Sequence, residues 1–188
     1  MQRLAAKKRA STKLDSAPDG ASEARAASEP QQAPYVVLGC APLAVPAIEA
    51  VLWLAWTDKG LCVAHWGTPG GPRTDAIAPD VPENPIPALY EDTLTRYFAG
   101  ENVDPVALPV DLRGTPFQLR VWQALRKVPR GSVRSYAGIA LDIGQPRGMR
   151  AVGMANGRNP VAVVVPCHRV IEKDAGLGGY TGGLHFKR

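Results

Sequence analysis

The chain has 188 residues, 45% of them hydrophobic, with 19 Gly, 18 Pro and a formal net charge of +5. That length suits one ordinary domain or two small ones, the apolar fraction permits a packed core, and the Gly and Pro content predicts many turns. The positive balance favours an anionic partner such as nucleic acid only weakly, because many enzymes are as basic.

Three cysteines, Cys40, Cys62 and Cys167, fall at irregular spacing with no CxxC pair, which argues against a disulfide framework and for a reducing compartment. Neither they nor His65, His168 and His185 have zinc-ligand spacing, so no metal and no cofactor are expected. The longest apolar run, 47–55, contains Glu49 and falls far short of the roughly 20 residues needed to span a bilayer. The N-terminus lacks the apolar core of a secretory signal. The expected location is cytoplasmic in a bacterium, with action at the nucleoid, or nuclear in a eukaryote.

Residues 1–33 read as a disordered basic arm, rich in Ala, Ser, Lys, Arg and Pro and without an aromatic residue. Lys7, Lys8 and Arg9 could touch phosphates, although a solvated tail is the plainer reading. Residues 34–112 read as a small α/β domain. Strands are predicted at 35–38, 51–56 and 61–66, with Asp58, Lys59 and Gly60 as the turn between the last two. The Pro- and Gly-dense stretch 68–87 reads as a loop. Residues 86–98 have helical spacing that turns Leu89, Leu94, Tyr97 and Phe98 to a core, and Gly100 follows as the stop.

Residues 113–188 read as a mainly α domain. A helix over 116–126 presents Phe117, Val121, Ala124 and Leu125 on one face, with Thr115 as N-cap and Pro116 in its first turn. Ser135 opens a short helix over 136–143. The sequence Gly144, Gln145, Pro146 breaks it, and a second helix runs from about 147 to 156. This pair reads as a helix-turn-helix in a winged-helix-like domain, although two packed core helices with solvated arginines are the plainer reading of the pair alone. Residues 161–165 read as a short buried strand or extended run that leads into Pro166, Cys167, His168, Arg169 and Val170. The stretch 176–183 reads as a glycine-rich loop around Tyr180 and Thr181.

Cys167 followed by His168 and Arg169 is a candidate nucleophile. A thiol attacks only as thiolate, and a neighbouring base or positive charge lowers its pKa. The chemistry therefore calls for an exposed, ionisable sulfur with His168 taking the proton, whereas the commoner fate of a lone cysteine is inert burial. The candidate recognition helix carries Arg147, Arg150 and the small residues Ala151, Gly153 and Ala155, which permit close backbone approach to a partner, with Arg158 just beyond. A basic helix pair, a candidate thiol and a glycine loop in that order suit a protein that attacks a base taken out of the stack.

Several segments in this order resemble the O6-alkylguanine-DNA alkyltransferases. They are Gly114-Thr-Pro-Phe-Gln118, Val121-Trp122, Ala124-Leu125, Ser135-Tyr136, Arg150-Ala-Val-Gly-Met-Ala-Asn156, Asn159-Pro160, Val165-Pro-Cys-His-Arg-Val-Ile171 and Leu177-Gly-Gly-Tyr-Thr-Gly-Gly-Leu184. The resemblance implies a monomer that acts once on double-stranded DNA containing O6-alkylguanine, moving the alkyl group to Cys167. It implies His168 as a water-linked base and Tyr136 as a donor to the departing guanine. Arg150 would be a finger filling the gap left by the extruded nucleotide, with the helix in the minor groove. Asn159 would tie that helix to the active-site turn. Tyr180 and Thr181 would line the base pocket, and the carbonyls of Cys167 and Val170 would accept from the exocyclic amine. The family continues past the position of Lys187 into a short helix whose glutamate orients the histidine. That helix is absent from these 188 residues, so a non-catalytic binder of alkylated DNA stands as the alternative. An alkylation-sensing transcription factor would need a further cysteine set, and a Cys-His hydrolase an oxyanion hole that the sequence does not signal.

Overall fold

The computed structural model describes residues 36–174, 176–180 and 182–187. The expected basic arm at 1–33, Tyr35 and Thr181 lie outside the described residues. Three strands, β1 (Gly39–Val45), β2 (Ala50–Trp56) and β3 (Leu61–Gly67), form an antiparallel sheet in the order β1-β2-β3. Helices follow as α1 (Ala88–Phe98), α2 (Pro116–Leu125), α3 (Tyr136–Asp142) and α4 (Met149–Gly157). The two-residue strands β4 (Arg134–Ser135) and β5 (Val170–Ile171) pair in parallel.

The strands at 51–56 and 61–66 appear as β2 and β3, joined by the Asp58-Lys59-Gly60 turn with Gly60 at φ 148. The first strand is not at 35–38 but at Gly39–Val45. Its Ala, Gly and Pro content hides it, because Pro42 removes a ladder donor. The sheet tolerates Pro42 because β1 is an edge, where one row of backbone groups needs no strand partner. β2 lacks clean alternation because both faces are covered. Leu52, Leu54 and Trp56 join the main core, while Trp53 and Ala55 join a smaller one with Cys40, Cys62, Val63 and Ile77. Ile77 comes from the 68–87 loop, which Arg73 fastens by donating to Val81 O at 2.8 Å and pairing with Glu83 at 2.9 Å.

In α1 the buried residues are Tyr90 and Leu94, whereas Leu89 is 57% exposed and does not face the core. The i, i+4, i+7 stripe runs through Tyr90, Leu94 and Tyr97, and Leu89 lies one residue, about 100° of helix, to its side. Gly100 ends the helix at φ 84. Thr115 caps α2 with a full capping box, its Oγ1 accepting from Gln118 N at 3.2 Å while Gln118 Oε1 accepts from Thr115 N at 2.8 Å. Trp122, which periodicity does not put on the core face, is 2% exposed and donates its indole N–H to Ala155 O at 2.9 Å, clipping α2 to α4. Ser135 caps α3 by accepting from Gly138 N at 3.0 Å. The second helix begins at Met149 rather than 147, so Arg147 precedes it.

Residues 161–165 do not form a strand. Val161 forms a parallel bridge to Ala64, Ala64 N donates to Pro160 O and Ala162 N to Ala64 O, both at 2.9 Å, so this segment hangs on the edge of β3. The chain then turns tightly, with Val165 N donating to Val161 O at 2.9 Å and Val163 at φ 72. A left-handed β-branched residue costs on the order of 1–3 kcal/mol and persists only where its surroundings over-determine it. Here Val161, Val163, Val164 and Val165 are all buried. The strain is spent on turning the chain into Cys167.

Candidate active site

Cys167 opens a single 3₁₀ turn, Cys167–Arg169, between the strained valine turn and β5. Its sulfur is not exposed: the residue is 5% accessible, and what reaches it is a cavity of about 470 Å³. Tyr136, Gly153, Asn156, Glu172 and Tyr180 line that cavity with it. A neighbouring cavity of about 660 Å³ shares Tyr136, Gly153 and Glu172 and extends to Met149 and Arg150 on the exposed first turn of α4. The two cavities thus adjoin at Tyr136, Gly153 and Glu172, between the first turn of α4 and the sulfur.

Asn159 Nδ2 donates to Cys167 Sγ at 3.0 Å and to Val165 O at 2.8 Å, and its Oδ1 accepts from Val161 N at 3.0 Å. One amide thus spans both ends of the valine turn and the sulfur. The Tyr180 hydroxyl and the Lys187 ammonium also favour the thiolate, while the Cys167 N–H donates to Val165 O at 2.8 Å. The expected lowering of the thiol pKa is not found. Burial pushes the Cys167 thiol up, and the donors and Lys187 offset only part of that. The resting group is a thiol whose anion has donors waiting for it.

His168 is half-buried, and burial lowers its pKa to about 4, with Arg169 and Lys187 adding to the shift and Asp104 opposing it. The ring is neutral at pH 7, with a lone pair able to accept a proton. Among the described residues nothing hydrogen-bonds its side chain. Burial, the charge of Cys167 and that of Glu172 raise the Tyr136 phenol, and burial with the charge of Cys167 raises Tyr180, so both remain donors at neutral pH.

Arg169 is structural. It is 4% exposed, donates to Asp104 Oδ2 at 3.1 Å and Oδ1 at 2.9 Å, and donates to Val128 O at 2.8 Å. This ties the active-site turn to the segment after α1. Val170 has its side chain in the core at 0% exposure, and its N–H donates to Cys167 O. On α4, Arg150 and Ala151 are exposed, and Gly153 leaves ordinary contact distance, 3.9 Å from a Cβ position to the Tyr136 ring. Arg147 and Arg158 are exposed at either end of α4, and among the described residues no carboxylate pairs with Arg147, Arg150 or Arg158.

Four site residues escape sequence reasoning. Lys187, 7% exposed, donates through Nζ to Leu177 O and to Gly179 O at 3.1 Å, and stands 5.9 Å from the centre of the Tyr136 ring. A lysine at that point of the sequence reads as a solvated cation. Asn156 is buried on the cavity wall, with an Oδ1 that has no partner among the described residues. Glu172 puts a carboxylate on both cavities. Trp66, on β3, donates its indole N–H to Tyr180 Oη at 3.1 Å.

A family model described as the DNA binding domain of 6-O-methylguanine DNA methyltransferase matches residues 116–188. The methylated-DNA–protein-cysteine methyltransferase of Mycobacterium tuberculosis (strain H37Rv) is 55% identical over 97 residues, 52% of this chain and 58% of the relative. The match thus spans under two thirds of the mycobacterial protein's length. The Salmonella typhimurium protein of the same description is 40% identical over 142 residues, 74% of this chain and 78% of the relative. The crystal structure of the M. tuberculosis protein in complex with DNA aligns with a TM-score of 0.64 at 40% identity, over 75% of this chain and 84% of that one. The small sheet followed by helices is the architecture of that solved structure, and the Pro-Cys-His-Arg turn lies within the segment the family model matches. This chain belongs to the methylated-DNA–protein-cysteine methyltransferase family, the O6-alkylguanine-DNA alkyltransferases.

Proposed function

We propose that this protein repairs alkylated duplex DNA by moving the alkyl group of O6-alkylguanine onto Cys167, once per molecule. The observation that carries this reading is the buried Cys167 sulfur, on a cavity that shares Tyr136, Gly153 and Glu172 with a second one reaching the exposed first turn of α4. The relatives' description supports it further. Residues 34–112 serve as the supporting domain, and 113–188 as the DNA-binding and acceptor domain. In the latter, α3 and α4 act as a helix-turn-helix within a winged-helix-like arrangement. The partner is double-stranded DNA, and the protein acts as a monomer without a cofactor.

In this reading α4 docks against the duplex through Arg147, Arg150, Ala151, Gly153 and Arg158. Arg150 fills the gap left by the extruded nucleotide, which passes along the joined cavities. The base rests against Tyr180 and Thr181, and the carbonyls of Cys167 and Val170 accept from its exocyclic amine. The Cys167 proton passes to neutral His168 through water. The sulfur then forms a bond to the alkyl carbon as the carbon–O6 bond breaks, and that electron pair leaves on guanine. Tyr136 donates to the guanine as charge develops, and the proton held by His168 finally returns to it. Net, the thiol hydrogen ends on guanine and a thioether on Cys167. A thioether has no ready leaving group, so the protein is consumed.

Incubation with a duplex carrying one O6-methylguanine is expected to raise the intact mass by one methylene, mapped to Cys167. Tight lesion binding with no mass gain would replace this reading with that of a non-catalytic binder. Arg150→Ala is expected to slow transfer from duplex about 10-fold or more while leaving attack on free O6-benzylguanine within about twofold, since only the duplex requires extrusion. Single-turnover rates on the two substrates decide it, and equal slowing removes Arg150 from that role.

A further inference from the structure

We propose that Trp66, on the sheet and 101 positions before the acceptor cysteine, is a positioning residue for Cys167 that acts through the Tyr180 hydroxyl. The inference rests on the reading of Cys167 as acceptor and adds to it a residue outside the motif-bearing half of the chain. Trp66 Nε1 stands 3.1 Å from Tyr180 Oη, and an indole nitrogen only donates, so the phenol oxygen is the acceptor. A phenol has a single proton. With one lone pair engaged by Trp66, that proton is directed elsewhere; Tyr180 and Cys167 line the same two cavities, and the Tyr180 hydroxyl favours the thiolate there. The relay runs from Trp66 to Tyr180 to Cys167, the indole donating into the phenol oxygen and the phenol proton left for the sulfur as it ionises. Donation into the phenol oxygen polarises its O–H and strengthens the bond it makes to a developing thiolate.

The surroundings hold the indole in that orientation. Trp66 stacks on Phe186 with centroids 4.4 Å apart and 16° between planes, and meets Phe98 edge-on at 5.9 Å. Gly182 closes the third side. A Cβ there would run into the Trp66 ring and stand 3.0 Å from Tyr180 Cε1, so the absence of a side chain at 182 lets indole and phenol approach. A narrow cleft shared by Trp66, Tyr180, Gly182 and Cys167 marks the place where the sheet meets the acceptor turn.

The test is the pH dependence of Cys167 carboxamidomethylation by iodoacetamide, followed by peptide mapping so that Cys40 and Cys62 do not contribute. Trp66→Phe keeps a ring and deletes the N–H. It is expected to slow labelling at pH 7 about 5-fold, the effect of one ordinary hydrogen bond, and to move the profile to higher pH. In a Tyr180→Phe background the same change is expected to have no effect, because the link is already cut. Benzothienylalanine at position 66, which swaps the N–H for sulfur and keeps the shape, is expected to match Trp66→Phe and covers the case in which that variant folds poorly. A profile that superimposes on the parent's, or an equal slowing in the Tyr180→Phe background, overturns the inference and reduces Trp66 to packing. Labelling reads the sulfur without DNA. If the Trp66 dependence holds while alkylated duplex adds no mass, repair fails and the relay stands; the converse pair of results separates them the other way.

Discussion

Cys167→Ser is expected to bind alkylated duplex within about twofold of the parent and to acquire no alkyl group from it. Serine differs by one atom, so the cavity, the Asn159 donor and the exposed face of α4 all persist. What disappears is an ionisable nucleophile. Burial already pushes the thiol up; it would penalise an alkoxide too, and an alcohol starts as a far weaker acid and a weak nucleophile in its neutral form. His168, with its pKa lowered to about 4 by burial, is too weak a base to make up the difference. Intact mass and fluorescence polarisation on the same lesion-bearing duplex give the two readouts. Alkyl transfer to the variant would show that another residue is the acceptor.

Arg169→Met is expected to destabilise the fold by about 3 kcal/mol, the lower end of the cost of breaking a buried ion pair, because the Asp104 side chain is one-third exposed. The loss is not a simple pair energy. Methionine fills the space but removes both Arg169 bonds to Asp104, leaving it only the Val106 N–H, and takes the Arg169 donor from Val128 O. At about 2–4 °C per kcal/mol for a chain of this size, Tm falls about 6–12 °C. The gap should also depend on pH. Burial raises the Asp104 carboxyl, but the bonds from Arg169 and from Val106 N–H outweigh it and hold the pKa below the usual carboxylate range. Stability from such a depressed group is complete above the unfolded value of about 4 and is lost as pH falls through the folded one. The Tm difference is therefore largest near pH 5–8 and narrows below pH 4. A difference under about 1 kcal/mol, or one that is flat with pH, would mean the active-site turn is held without this tie.

Much of the local structure is legible in the sequence because its causes lie within four residues. The Thr115 cap, the Ser135 cap and the Gly100 stop each follow from residues that satisfy or end a helix in their own neighbourhood. β2 and β3 are legible from β-branched and aromatic content around a three-residue turn. Where the fold departs from local preference, the deciding contact is distant. β1 forms because a Gly-, Ala- and Pro-bearing stretch finds seven partners on β2, not because its own residues prefer extension. The 161–165 segment has the composition of a strand and is bent into a turn by its bonds to β3 and Asn159.

The sequence by itself is enough to nominate the chemistry proposed above, one sulfur with a histidine and a small-residue helix near it, because these stand in one order along the chain. Tertiary structure alone decided how that sulfur is held. Trp66 meets Tyr180 across 114 positions and Arg169 meets Asp104 across 65, and Lys187 turns inward to the carbonyls at 177 and 179. Such pairs form because packing brings distant side chains to one place. Nothing in the identity of a tryptophan, an aspartate or a lysine says which partner the fold will supply.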